Sequence, residues 1–346
     1  AGGTDKEKEK YLPGIWDNVS ISFTGKIRVN KLLLLPSVKD RKVTVKLQLR
    51  NFYPAQLAYG DPMEDTSEIS VIIKEWKTGT VVAEATTSAI SKRDNVSVII
   101  LDIPLDHFKK WTTSDPFLYQ AEVKIKDQDN ESDKTQKRFG MRDFERRGKY
   151  FFLNGEKIIL RGSNITLHRF FEDPDCNDLA WDKTWVTKLL SEIPKSLKWN
   201  AFRICVGLVP DFWYDIADES GILLQNEWMY WQNHGWDEEI RKEYTDWVWS
   251  DGCHPSIVIW DAINENTDSF IGNILVPELK ELDNTRIWDN GYMVSENMNA
   301  KDDLDEPHPY MCVPWAGTQP GPNHQDFFEL GRLDYWPPVF NSVIES

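Results

Sequence analysis

Near residue 150 the hydrophobic pattern of this chain changes period, and that change limits what it can fold into more than any other feature. From about Ile27 to Arg147, short runs alternate apolar and polar residues: KVTVKLQLR, EISVIIKEW, VVAEAT, NVSVIILDI and LYQAEVKI, punctuated by Gly, Pro, Asn and Asp. Alternation sends successive side chains to opposite faces of a strand, and many short strands at this spacing read as an all-β sandwich. After Phe152 the order becomes strand-like KIILRG, a helix around Trp181 to Leu197, NAFRICVG, a helix around Asp211 to Ser220, and GILLQN. Helix followed by buried strand, repeated, is how a parallel barrel or a doubly wound sheet is written. The break falls between 147 and 152. PSIVIWDAI, RIWDNG, a stretch ending at HPY, and PVFNSVI add further strands and bring the expected count to seven, one short of a closed barrel.

Composition narrows the partners. A chain of 346 residues suits two domains. With 40 Lys+Arg against 56 Asp+Glu the net charge is −16, which repels phosphate backbones and anionic lipid, so neither nucleic acid nor a membrane is an expected partner. No apolar run reaches the length of a membrane span, and the Lys/Glu-rich first ten residues read as a solvated, disordered lead-in. Cys176, Cys205, Cys253 and Cys312 form no CxxC pair and have no His at zinc-ligand spacing, so no metal site, cofactor or disulfide framework is expected. Sixteen Trp is a large number for this length, and flat rings with one donor suit sugar faces as well as cores.

The chemistry-bearing stretch is HPSIVIWDAINEN, an apolar strand from Ile257 to Ile263 that delivers Asn264 and Glu265 at its C-terminal end. C-terminal strand ends face the active site of a parallel barrel. A carboxyl held there among tryptophans and beside an amide can serve as a general acid, although Asn-Glu-Asn-Thr-Asp reads equally as a solvated helix cap. PVFNSVIES offers a second carboxylate, Glu345, at the end of the last apolar run. Two strand-end carboxylates about 5 Å apart are the retaining arrangement for glycoside cleavage. Asn164, His168 and Arg169 follow the first strand, and Asp211, Trp228 and Trp231 follow the second and third. Together they could line a sugar pocket; singly, each suits core packing or a cap as well.

Several ordered segments resemble family 2 glycoside hydrolases. RDFERRGKYFFLNGEKIILRGSNITLHR is similar to that family's passage from sandwich to barrel, NAFRI with DFWYDIADESGILLQNEW to its next segment, HPSIVIWDAINEN to its acid/base strand, and YLPGIWDNVSI to the exit from its N-terminal jelly roll. The resemblance implies an immunoglobulin-like β-sandwich followed by a TIM (β/α)8 barrel. Residues 1–20 would be lead-in and jelly-roll exit, 21–148 the sandwich, and 149–346 a barrel lacking its last strand. It further implies a retaining exo-β-glycosidase for terminal β-linked sugars: galactosides, mannosides, glucuronides or glucosaminides. GLVPDFWYDIADESGILLQNEWMYW looks somewhat nearer the mannosidase-like members than the galactosidases. Glu265 would be acid/base, and Asn264 the amide on the sugar's 2-hydroxyl. Arg203 would steady the nucleophile, and in the His308-Pro-Tyr310 triplet the tyrosine hydroxyl would contact it; a loop histidine with a packed tyrosine is the plain alternative. The nucleophile itself would be Glu345 or a glutamate after Ser346. A carbohydrate substrate is the implied partner and no cofactor is needed; the periplasm or cell exterior is favoured over the cytoplasm, and oligomeric state stays open. A non-catalytic carbohydrate-binding or scaffold protein on the same fold is the alternative function. An unrelated barrel isomerase would need late phosphate-binding glycines or a metal-ligand cluster, and the sequence has neither.

Overall fold

The computed structural model describes residues 17–52, 64–92, 95–167, 173–176, 178–231, 235–266, 268–290 and 303. Its first part holds β1 (Ile27–Ser37), β2 (Lys42–Asn51), β3 (Glu64–Glu75), β4 (Val81–Lys92), β5 (Val96–Pro104), β6 (Tyr119–Asp127) and β7 (Asn130–Phe139). These form two antiparallel sheets, ordered β1-β2-β5 and β4-β3-β6-β7. Alternation decides which side faces in. On β2, Val43, Val45, Leu47 and Leu49 are fully buried and meet Ile69, Val71, Ile73, Val123 and Ile125 of the other sheet in one core. Each such side chain contributes about 1.5–3 kcal/mol on burial. The Leu32–Leu35 run of β1 is buried without alternating, because Trp249 and Cys253 of the second part join this core and cover its outer side. β7, a strand not singled out in the sequence, is mostly polar and buries only Ser132 and Phe139; its pairing with β6 makes it a strand.

Next comes a small antiparallel sheet of β8 (Phe144–Arg147), β9 (Tyr150–Leu153) and β10 (Glu156–Ile158). Asn154 and Gly155 both have positive φ (55 and 85°), the two-residue turn that an Asn-Gly pair favours in a hairpin. KIILRG is therefore not the first parallel strand. Its start belongs to this hairpin, and the parallel sheet begins later, at Gly162. Phe144, Phe151 and Leu153 pack with Leu223, Val258, Ile259 and Ile287, so the hairpin sheet plugs the underside of the parallel sheet.

The parallel sheet runs in chain order: β11 (Gly162–Ile165), β12 (Ala201–Ile204), β13 (Leu223–Glu227), β14 (Ile257–Asp261) and β15 (Ile287–Asp289). Helices join them. α1 (Lys183–Thr187), a π-helical turn and α2 (Ile193–Leu197) precede β12; α3 (Asp211–Ser220) precedes β13, α4 (Asp237–Asp251) precedes β14, and α5 (Val276–Leu282) precedes β15. Local sequence sets the ends. The Asp182 side chain accepts from Thr184 N and Trp185 N to start α1, and Gly221 closes α3 at φ 77°, where an added Cβ would also lie 2.4 Å from Thr113 O. All five residues of β14 are buried, as expected of a strand covered on both faces, but it stops at Asp261 rather than at Ile263.

Of two buried arginines, Arg142 ties the parts together and Arg286 braces the segments that it meets. Arg142, at the exit of the sandwich, donates to Pro255 O (3.0 Å), Thr285 O (2.9 Å) and Ile257 O (2.7 Å). Arg286 donates to Ile257 O, Gly252 O and His254 O and pairs with Asp283 Oδ2 at 2.6 Å, an oxygen that also accepts from Trp260 Nε1. Burial, and secondarily Arg286, lowers the Arg142 pKa to about 9, so the guanidinium stays charged at neutral pH. Arg142→Met fills the volume but takes the arginine donor from Pro255 O and Thr285 O and leaves Ile257 O with Arg286 alone. It should lower unfolding stability in urea by about 3 kcal/mol or more; a loss below about 1 kcal/mol would show that the carbonyls find other donors.

Candidate active site

Because the five strands are parallel, their C-terminal ends gather polar residues along one edge. Register aligns Asn164 with Arg203 and Gln225, and two residues further along aligns Glu227 with Asp261 and Asp289. Glu227, Asp261 and Asp289 are each fully buried. Charges at that depth need partners, and the Arg203 guanidinium supplies one: Nη2 lies 2.6 Å from Glu227 Oε2, and Nε 3.2 Å from Asp261 Oδ2. Arg203 Nη2 also donates to Asn264 Oδ1 at 3.0 Å. Gln225 Nε2 donates to Asp261 Oδ2 at 2.8 Å and to Asp289 Oδ2 at 3.4 Å.

Asn264 and Glu265 follow this row. Past Asp261 the chain is held by Ala262 N to Asp289 O, by Tyr244 Oη to Ala262 O (2.6 Å), and by Asn264 N to Tyr230 O (2.8 Å). Glu265 then turns into the left-handed region at φ 45°, where a side chain other than glycine's is strained, and its side chain is partly exposed. Strain kept at one residue beside an ordered polar cluster is a mark of a functional position. Glu265→Gly should therefore hold or raise the thermal unfolding midpoint, by on the order of 1 kcal/mol of relieved strain. A loss of that size would mean that Glu265 stabilises the fold.

The remaining expected site residues divide. Asn164 is exposed beside Arg203 and donates from Nδ2 to Cys205 Sγ at 3.4 Å, a sulfur that also contacts Thr166 Oγ1 at 3.2 Å. Trp231 stays half-exposed near Glu265, its carbonyl accepting from Asn266 Nδ2. Trp228 does not offer a stacking face: it is buried against Tyr244 (5.1 Å) and Trp247 (5.3 Å), in an aromatic cluster that continues to Trp260 and Trp288. Asp211 also leaves the site. As the first residue of α3 it faces a cavity of about 340 Å³ between the helices and β6/β7, lined also by Arg138, Asp215, Asp251 and His254. His168, Arg169, His308, Tyr310 and Glu345 lie outside the described residues. Glu227, Asp261 and Asp289 were missed in the sequence. The same strand-end logic that singled out Glu265 applies to LLQNEW and IVIWD, and it went unused there because the residues sit inside apolar runs.

The outer cavity has its own electrostatics. Asp215, Asp218 and His254 bring possible ligand atoms within 4.8 Å of one another, yet Arg138 pairs with Asp215, and His254 Nδ1 lies 2.6 Å from Asp218 Oδ2, so protein groups already match these charges. Burial alone would lower the His254 pKa, but Asp218 outweighs it and the net shift is upward from 6.5. Burial, together with Asp17, raises Asp211. Burial also raises Asp251, against the opposing pull of His254. A histidine bound more tightly to its proton in the folded state stabilises fully below its unfolded pKa and loses that contribution as pH rises through the folded one. Urea midpoints should accordingly fall as pH increases above about 6.5. His254→Gln should flatten that slope, and a slope unchanged by the substitution would assign the effect elsewhere.

The comparisons agree with this architecture. The model described as Glycosyl hydrolases family 2 matches residues 27–142. A putative beta-glucuronidase of Formosa agariphila is 30% identical over 207 residues, covering 56% of this chain and 19% of that protein. A beta-galactosidase of Alteromonas mediterranea is 25% identical over 284 residues, 74% of this chain and 25% of that protein. The crystal structure of Parabacteroides merdae beta-glucuronidase superposes with a TM-score of 0.63 at 20% identity, covering 82% of this chain and 35% of that one; at that identity the likeness is one of fold. The chain spans between 19% and 35% of the length of these three proteins.

Proposed function

The chain belongs to glycosyl hydrolase family 2, and from that premise we propose that it carries the core of a retaining exo-β-glycosidase site built on a (β/α)8 barrel. Five parallel strands in sequential order, with helix between each and the next, support this reading, since a barrel of this kind needs eight such strands. The observation that carries the reading is the strained Glu265 beside Asn264, whose carboxamide is held by Arg203 at the C-terminal strand ends. In the proposed reaction Glu345 attacks the anomeric carbon, and Glu265 gives its proton to the departing oxygen. Glu265 then takes a proton from water, which releases the sugar. The two carboxyl groups would stand about 5–5.5 Å apart. Tyr310 and His308 would orient the nucleophile, His168 and Arg169 would contribute from the first strand's loop, and Trp231 would flank the sugar. The two relatives above are named for different sugars but share the β-linkage, so a terminal β-linked sugar is the proposed substrate class.

Glu265→Ala should slow cleavage of alkyl β-glycosides by about 10²–10⁴-fold, because their leaving groups need protonation. Aryl glycosides with good leaving groups should lose far less in formation of the glycosyl-enzyme, and added azide should partly restore turnover by intercepting it. Equal losses on both substrate types would remove Glu265 from the acid/base role.

A further inference from the structure

A single nitrogen links the buried acid of β13 to the amide of the site. Arg203 Nη2 carries two hydrogens; it lies 2.6 Å from Glu227 Oε2 and 3.0 Å from Asn264 Oδ1. A guanidinium has donors only, so the Asn264 atom facing it must be the carbonyl oxygen. That fixes the amide: the Asn264 NH2 points away from Arg203. Nε on the other edge is held by Asp261 Oδ2, which Gln225 anchors in turn, so the guanidinium plane cannot swing. Glu227 is fully buried and cannot itself reach a ligand. Its charge, paired with Nη2 at 2.6 Å, holds that nitrogen at the place from which it donates to Asn264 Oδ1.

We propose that Glu227 is a positioning residue: acting through Arg203, it locks the Asn264 carboxamide with its NH2 presented to one hydroxyl of the bound sugar. The inference rests on the glycosidase reading for its ligand, but the lock itself is a property of the folded chain. Glu227→Gln keeps the shape and weakens the lock, since a neutral amide holds Nη2 less firmly and can turn its own NH2 toward it. Arg203→Lys keeps the charge and loses Nε, the arm of the fork that Asp261 holds, so the donor to Asn264 is no longer fixed in direction.

The test compares the full chain with E227Q, R203K, N264A and the E227Q/N264A double variant on an aryl β-glycoside and its monodeoxy analogues. E227Q and R203K should each lose about 10-fold or more in kcat/KM on the parent. On the one analogue lacking the hydroxyl that N264A also stops sensing, both should lose less than about 3-fold, and the double variant should be no worse than N264A. Uniform losses across all analogues, or full activity of E227Q on the parent, would overturn the proposal. Side-chain amide spectra of the ¹⁵N-labelled chain separate this from the activity reading. E227Q should shift the Asn264 NH2 resonances and speed exchange of the Arg203 Nε proton while the sandwich signals stay in place. Unmoved Asn264 resonances refute the lock even if no substrate is turned over, and moved ones in a chain that cleaves nothing refute only the glycosidase reading.

Discussion

The Arg203 guanidinium, clasped between Glu227 and Asp261, is the interaction that lets the strand ends carry buried charge at all. A lone buried ion costs several kcal/mol, and here the strand ends of β13, β14 and β15 each bury a carboxylate side by side. The guanidinium answers two of them, Asp261 with a hydrogen bond and Glu227 with an ion pair, while Gln225 ties the third to the group. The result is a rigid polar floor, with Asn264 set on its rim and Glu265 turned out beyond it into a strained backbone conformation. Preorganisation of this kind places catalytic groups before a ligand arrives.

The floor in turn depends on what supports the sheet. The hairpin sheet β8-β9-β10 fills the N-terminal side with Phe144, Phe151 and Leu153, and the aromatic cluster of Trp228, Trp247, Trp260 and Trp288 fills the space between strands and helices. Trp260 belongs to both systems, since its ring packs in that cluster and its Nε1 donates to Asp283, the partner of Arg286. Arg142 then connects this to the sandwich through carbonyls of the segments leading into β14 and β15. Many of the tryptophans are therefore accounted for by packing rather than by sugar contact.

What the sequence revealed follows from which forces are local. The helix Asp211–Ser220 was legible to the residue because a closing glycine and its apolar spacing are local signals. The sandwich strands were legible through alternation, except β1, whose Leu32–Leu35 run is buried without alternating, and β7, whose polar residues become a strand only by pairing with β6. KIILRG was placed on the wrong sheet: both a hairpin strand and a buried parallel strand tolerate apolar runs, and only the Asn154-Gly155 turn separates them. Trp228 and Asp211 were assigned to a sugar pocket from their positions just after strands, but orientation around a strand end is a tertiary property. Asn264 and Glu265 were singled out because they stand outside the apolar run of β14. Glu227 and Asp261 were passed over because buried acids inside apolar runs make sense only once Arg203 is known to face them.

The central claim is that these strand ends support double displacement through a covalent glycosyl-enzyme. Incubating the full chain with a panel of 2-deoxy-2-fluoro β-glycosyl fluorides and mapping the modified peptide by mass spectrometry tests it most directly, because slow turnover traps the intermediate on the attacking residue. The account expects one sugar of the panel to add a single glycosyl group, on Glu345. A chain that cleaves β-glycosides yet takes no label, or one labelled on Glu265, would contradict it.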